Sequence, residues 1–272
     1  MQDATAFNPD VAIVRDVSPA LARCELTYRE REAIDLERAV GEHAGYVRVL
    51  RELGLEVVSL PADAAYPDCC FVEDVAIVLD ELAVITRPGA ESRRGESPVV
   101  AQALAAFRQV LPVQPPGTLD GGDVLIVGRK IFVGRTLRTN NAGIESLRAI
   151  VSPHGYDVVG VPVKGCLHLK SAVTALDEQT LVANTAWIDS ETFRGYEIVP
   201  VPPEEPGGAN VLSIRGRVLV SAGSHLTRAL LERRGSSVIP VRIHEFEKAE
   251  AAVTCKSLVF RRRPFASSPA RG

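Results

Sequence analysis

Five positions at nearly equal intervals carry residue types that could do chemistry: Asp74, Asp120, His168, Asn210 and Cys255, separated by 46, 48, 42 and 45 residues. Glu73 stands beside the first, and Asp123 follows closely on the second. Carboxylates are rarely buried unless something pairs them. A convergent set without a local cation therefore describes a receptor for an incoming one. The planar guanidinium fork suits it, because a carboxylate can take two parallel charge-assisted hydrogen bonds from it. Gripped through its nitrogens, a guanidinium leaves its central carbon electron-poor. A thiolate is a good nucleophile for that carbon, and a neighbouring imidazole can serve as acid and base. Cys255, His168, Asp74 and Asp120 thus suggest covalent catalysis on a guanidino group. Singly, these features have ordinary explanations: a free cysteine packs as a small hydrophobe, "GTLDGGDVL" makes a turn and "ESRRGE" a solvated loop. Their coincidence at the repeat spacing favours chemistry.

The elements that must position these residues repeat as well. Hairpin patterns, bounded by Gly and Pro, run through "CCFVEDVAIVLDELAVITRPG", "LDGGDVLIVGRKIFVGRT", "LHLKSAVTALDEQTLVANT" and "GGANVLSIRGRVLVSAG". A last half-hairpin, "AAVTCKSLVF" from Ala251, reads as an inner strand with Cys255 in it. On that reading Lys256 points to the opposite face from Cys255 and does not activate it. Between hairpins lie segments of helical period. In "GIESLRAIV", Ile144, Leu147, Ile150 and Val151 fall on one face. Pro and Gly then break each helix before a short extended run such as "DVVGVPV" or "SVIPVRI". The unit is strand, strand, helix, strand, and such a period signals a repeat architecture. The last hairpin lacks its second strand and helix, while the N-terminal region supplies "VAIVRDV" and a helix. The two ends are therefore expected to complete one blade of a closed ring, in one domain over residues 1–272, with the ends up to about Asn8 and after about Arg262 frayed.

Bulk properties set the remaining bounds. The 272 residues are 46% hydrophobic and 24% charged, ordinary for a globular protein, and the net charge of −3 gives no reason to expect nucleic acid or membrane as partner. "MQDATAFNPD" has no basic and apolar leader regions, and no apolar run approaches a membrane span. The five cysteines, Cys24, Cys69, Cys70, Cys166 and Cys255, form no regular framework and no C-x-x-C pair. That points to free thiols in a reducing, cytoplasmic compartment, and gives a zinc site little support. Cys69 and Cys70 read as packing.

"FVEDVAIV", "ITRPGAESRRGE", "LDGGDVL", "RTN", "LHLKS", "AN" and "TC-x-S" occur in the order and context that resemble the dimethylarginine dimethylaminohydrolase family of the amidinotransferase superfamily, over roughly residues 11–260. The resemblance implies a five-bladed α/β propeller of repeated ββαβ units with pseudo-five-fold symmetry. It implies hydrolysis of Nω-methylated arginines to citrulline and an alkylamine, with no metal or cofactor. Carried over, Cys255 is the nucleophile, His168 the acid and base, and Asp120 a third catalytic residue. Asp74 and Asp120 hold the guanidinium, with Glu73 and Asp68 nearby. Arg93 and Arg138 grip the α-carboxylate, Leu26 sits on a lid, and Ala249 gives a backbone contact. The residue before the double glycine is Asp here and Glu in other members. Free arginine or another guanidino compound as substrate, an amidinotransferase, and a non-catalytic ligand-binding propeller are the competing readings. A homodimer is compatible with all of them.

Overall fold

The computed structural model describes residues 8–262. Its first unit supplies β1 (Val11–Arg15), α1 (Leu36–Glu52) and β2 (Glu56–Leu60). The second comprises β3 (Ala76–Val78), β4 (Leu82–Ile85), α2 (Ser97–Leu104) and β5 (Gln109–Pro112). The third has β6 (Val124–Val127), β7 (Lys130–Arg135), α3 (Asn141–Val151) and β8 (Asp157–Pro162). In the fourth, the one-turn α4 (Leu169–Ala172) precedes β9 (Val173–Ala175), β10 (Thr180–Ala183) and β11 (Glu197–Pro200), and a 3-10 turn, Ser190–Phe193, takes the place of the crossover helix. The fifth is β12 (Leu212–Ile214), β13 (Arg217–Ser221), α5 (His225–Arg233) and β14 (Ser237–Val241). A one-turn α6 (His244–Glu247) then leads to β15 (Leu258–Phe260).

Each unit is a three-stranded sheet with an antiparallel hairpin and a parallel outer strand reached by a crossover. The ring closes as the ends of the pattern require: β15 pairs antiparallel with β1, Val11 opposite Phe260, and β1 pairs parallel with β2. The fold is the five-bladed α/β propeller. Its core is distributed between blades. Val11 and Ile13 pack with the β3–β5 blade, whereas Ala12 and Val14 pack toward the β12–β14 blade. This is the alternation of a strand buried on both faces. Likewise Ile131 and Val133 face one neighbour of the third blade and Phe132 the other. Helix starts follow local chemistry: Asp35 and Asn140 cap α1 and α3 by accepting the N–H groups of Arg38 and Gly143.

The inner strand of every blade begins with a single helical turn, namely Val72–Val75, Gly121–Asp123, α4, Pro206–Ala209 and Thr254–Lys256. This corrects the expectation of one continuous strand around Cys255. The thiol sits on a 3-10 turn, and the strand starts only at Leu258. The expected fraying at the ends falls almost wholly outside the described residues.

Candidate active site

The turns at the heads of the blades bring their side chains together on the axis. Asp68, Asp74, Arg93, Arg138, His168, Ala249 and Cys255 all line one small cleft. The double glycine makes the approach of two blades feasible. A Cβ on Gly121 would fall 1.9 Å from the Glu73 carbonyl oxygen, and one on Gly122 only 2.5 Å from His168 Nδ1. With no side chain there, the Gly122 N–H donates to Asp74 Oδ1 at 3.1 Å.

His168 lies between two carboxylates. Its Nε2 is 3.0 Å from Asp120 Oδ2 and its Nδ1 3.8 Å from Asp74 Oδ1. Burial alone would lower its pKa, but Asp74, the Asp120 hydrogen bond and Asp123 outweigh burial and hold it up at about 9. Asp123 itself accepts the hydroxyls of Thr136 and Thr139 and the Leu169 N–H, which fixes the start of α4 directly after His168. Burial pushes its carboxyl up to about 6. Cys255 is half-buried, and its Sγ accepts the Ala252 N–H at 3.4 Å. Burial first, then the charges of Glu73 and Asp74, push the thiol up to about 12. At rest the cleft thus holds a thiol and an imidazolium.

Several expectations change on the structure. The carboxylates are not without local cations. Arg93 Nη1 donates to Asp74 Oδ2 at 2.6 Å, and Glu96 takes the Nε and Nη2 donors. The carbonyls of Asp68 and Phe71 take further Arg93 bonds, so this guanidinium is largely committed before any ligand arrives. Burial would raise the Asp74 pKa, but His168 and Arg93 reverse this and keep it below the usual carboxylate value. Arg138 has a lighter commitment, one bond from Nη2 to Thr27 Oγ1 at 3.1 Å.

Asp120 is fully buried, with Oδ1 accepting the Gly89 N–H at 2.8 Å and Oδ2 facing His168 at 3.0 Å. It therefore meets the imidazole directly, whereas Asp74, and not Asp120, lines the cleft. Glu73 leaves the front cleft altogether. Its carboxylate meets Lys170 Nζ at 2.6 Å and accepts the Thr254 hydroxyl at 2.7 Å, and it lines a second chamber on the other side. Leu26 lies half-buried on the segment over the cleft and packs against the core shared by the first and fifth blades.

Ligand atoms of Asp74, Asp120 and His168 lie within 4.8 Å of one another, close enough to hold a metal ion. With His168 protonated near neutrality, a proton competes for that position. Sequence reasoning missed Glu96, Lys170 and Glu250, which hold the site groups in place. Lys170 stood within the quoted "LHLKS", but nothing in its spacing marked it as the partner of Glu73.

A propeller with cysteine, histidine and carboxylates meeting on its axis defines the guanidine-modifying class, the amidinotransferase superfamily. Within it, residues 22–256 match the family model described as N,N dimethylarginine dimethylhydrolase, eukaryotic. The chain belongs to the dimethylarginine dimethylaminohydrolase family. It is 45% identical over 253 residues to N(G),N(G)-dimethylarginine dimethylaminohydrolase of Streptomyces coelicolor, covering 92% of this chain and 96% of that protein. Among solved structures, a cysteine-to-serine variant of the Pseudomonas aeruginosa enzyme complexed with citrulline superimposes with a TM-score of 0.89. It shares 32% sequence identity, over 93% of this chain and all of that one. The N-terminal domain of ArgZ, a cyanobacterial arginine dihydrolase, is only 17% identical but has the same fold, with a TM-score of 0.79 over 92% of this chain and 98% of that one. No helix among the described residues is long and apolar enough to cross a membrane.

Proposed function

We infer that the protein hydrolyses Nω-methylated L-arginines to L-citrulline and methylamine or dimethylamine. The observation that carries this is the meeting of Asp74, His168 and Cys255, from three different blades, in one cleft that also holds Arg138. Family membership supports the same reaction.

Each residue has a role in this reading. Asp74 takes the guanidinium, and Asp68 faces the same cleft from the neighbouring turn. Arg138, with Arg93 behind it, receives the α-carboxylate, and Leu26 and the Ala249 backbone contact the amino-acid end. Burial, then the charges of Glu73 and Asp74, keep Cys255 protonated. The substrate cation offsets those charges, so the thiol releases its proton to solvent and thiolate forms where the substrate is bound. Attack on the guanidinium carbon forms a C–S bond and a tetrahedral adduct. His168 gives its proton to the departing amine, the C–N bond breaks, and a thiouronium remains. The neutral imidazole then takes a proton from water, whose oxygen displaces sulfur to yield citrulline and the thiol. Asp120 holds His168 for both transfers, and Glu73 with Lys170 backs the turn that bears Cys255. The scheme draws on protein groups alone.

The five cysteines are unpaired, which fits a reducing compartment such as the cytoplasm. A homodimer is open to the same reading, and sedimentation of the purified chain decides it. The substrate is tested by a citrulline assay across arginine, monomethylarginine and asymmetric dimethylarginine, with the released amine identified. Turnover of the methylated forms with matching amine release is expected. Turnover of arginine alone, with ammonia released, would replace this reading by a deiminase.

A further inference from the structure

We propose that Glu250 is a positioning residue that latches the segment over the cleft, and so sets the affinity for the amino-acid end of the substrate. The proposal rests on the substrate reading above for its kinetic arm only. Residues 24–31 have no helix or strand and are mostly exposed. Their backbone amides must find partners or remain with water. Three consecutive amides, those of Thr27, Tyr28 and Arg29, donate to the single carboxylate of Glu250, the Thr27 bond at 3.0 Å. Successive N–H groups converging on one anion form a nest, and charge-assisted bonds of this kind are stronger than neutral ones. The Arg29 guanidinium adds a bond to the Glu247 carbonyl on the same loop.

The latch joins two parts of the cleft wall. Glu250 follows Ala249, and both line the cleft together with Arg138 and Cys255. On the other side, the latched segment is tied to the cleft through Glu25 N–H on Asp68 Oδ2 at 3.1 Å and Arg138 on Thr27 Oγ1. Glu250 has a φ of +56°, a left-handed conformation in which a glutamate is uncommon. Glycine would adopt that backbone more easily. The glutamate thus holds a strained backbone at the position from which its side chain reaches the segment, which points to a role beyond folding.

Glycine at this position is therefore the informative replacement, since it removes the carboxylate and relieves the backbone. In Glu250→Gly, KM for methylarginine is expected to rise roughly ten- to hundredfold while kcat changes far less, with Tm held or raised. Glu250→Gln keeps one acceptor oxygen and is expected to fall between the two. Limited trypsin digestion at Arg23, Arg29 and Arg31 is expected to speed up several-fold in the order wild type, Gln, Gly. That readout needs no turnover, so it decides the latch even if the substrate reading fails. Wild-type cleavage rates in Glu250→Gly would overturn the proposal. So would a fall in Tm with kcat and KM worsening together, which would mark Glu250 as a structural residue.

Discussion

Asp120 and His168, 48 residues apart in sequence, face each other at 3.0 Å between Oδ2 and Nε2, while the other Asp120 oxygen is held by the Gly89 amide. The carboxylate is thus fixed from both sides, in position to orient and charge the imidazole. Asp120→Asn keeps the shape and removes the charge. The His168 pKa should fall from about 9 toward the ordinary imidazole value, and kcat should drop by roughly 100- to 10,000-fold. The leaving amine needs the protonated ring, so kcat falls as pH rises through the His168 pKa. That basic limb should move to lower pH in the variant. His168 is raised on folding, so its stabilising contribution is complete below about 6.5 and is lost as pH rises through about 9. Rate–pH profiles of both proteins, with substrate saturating, check the shift.

Cys255 gives a second pH prediction with its own sign. A thiol raised to about 12 is protonated throughout the neutral range. Alkylation by iodoacetamide without substrate should be slow at pH 7 and climb about tenfold per pH unit to pH 10, without a plateau. Cys255→Ser should abolish citrulline formation while calorimetric binding of substrate largely survives. Turnover by the serine variant would remove Cys255 from the mechanism.

The two arginines assigned to the substrate carboxylate should separate on mutation. Arg93 neutralises buried Asp74 and Glu96, so Arg93→Ala strips Glu96 of its cation, leaves Asp74 to His168 alone, and should cost about 3–5 kcal/mol of stability. Arg138 makes one bond to Thr27 and can be removed with little damage to packing. Arg138→Ala should raise KM by roughly ten- to hundredfold with a small change in Tm. Urea titrations beside steady-state kinetics distinguish the pair.

The ring and its chemistry were legible because both recur. Nearly equal spacing placed Asp74, Asp120, His168 and Cys255 at the heads of four blades, within or just before the helical turn, and a strand at each end of the pattern required the closure seen between β15 and β1. The helical turn at each blade head was not legible, since three or four residues carry no period. Its effect is clearest at Glu73 and Asp74. Adjacent side chains on a 3-10 turn diverge by about 120°, so Asp74 turns to the cleft and Glu73 to the chamber behind it. From sequence, Glu73 is expected near the guanidinium beside Asp74. Bonds such as that from the Thr27 N–H to Glu250 were also hidden, because they join irregular segments 223 residues apart.

Lys256 illustrates a correct expectation reached for another reason, and it yields the last prediction. It is fully buried on the turn that carries Cys255, with Nζ 3.0 Å from the Phe246 ring centroid and 5.5 Å from that of Tyr46. Nζ has no hydrogen-bond partner among the described residues. The 3-10 turn, and not strand alternation, sends it away from the cleft. Burial pushes its pKa down from 10.5 to about 7, with only partial relief from Cys70, Glu42 and Cys255. The unfolded chain therefore holds a proton between about pH 7 and 10.5 that the folded chain has released, and stability from this group rises with pH across that window. Its cost is absent above about 10.5 and greatest below about 7. Lys256→Met keeps an unbranched apolar chain over Phe246 and removes the amine. The variant should be more stable than the parent by up to about 5 kcal/mol below pH 7, and the gain should shrink steadily toward pH 10. Denaturant unfolding of both proteins from pH 6 to 10 reads the difference directly. A gain that is constant with pH would show that Lys256 is not titrating in this window, and a loss of stability would show that its contact with the aromatic rings outweighs the cost of its burial.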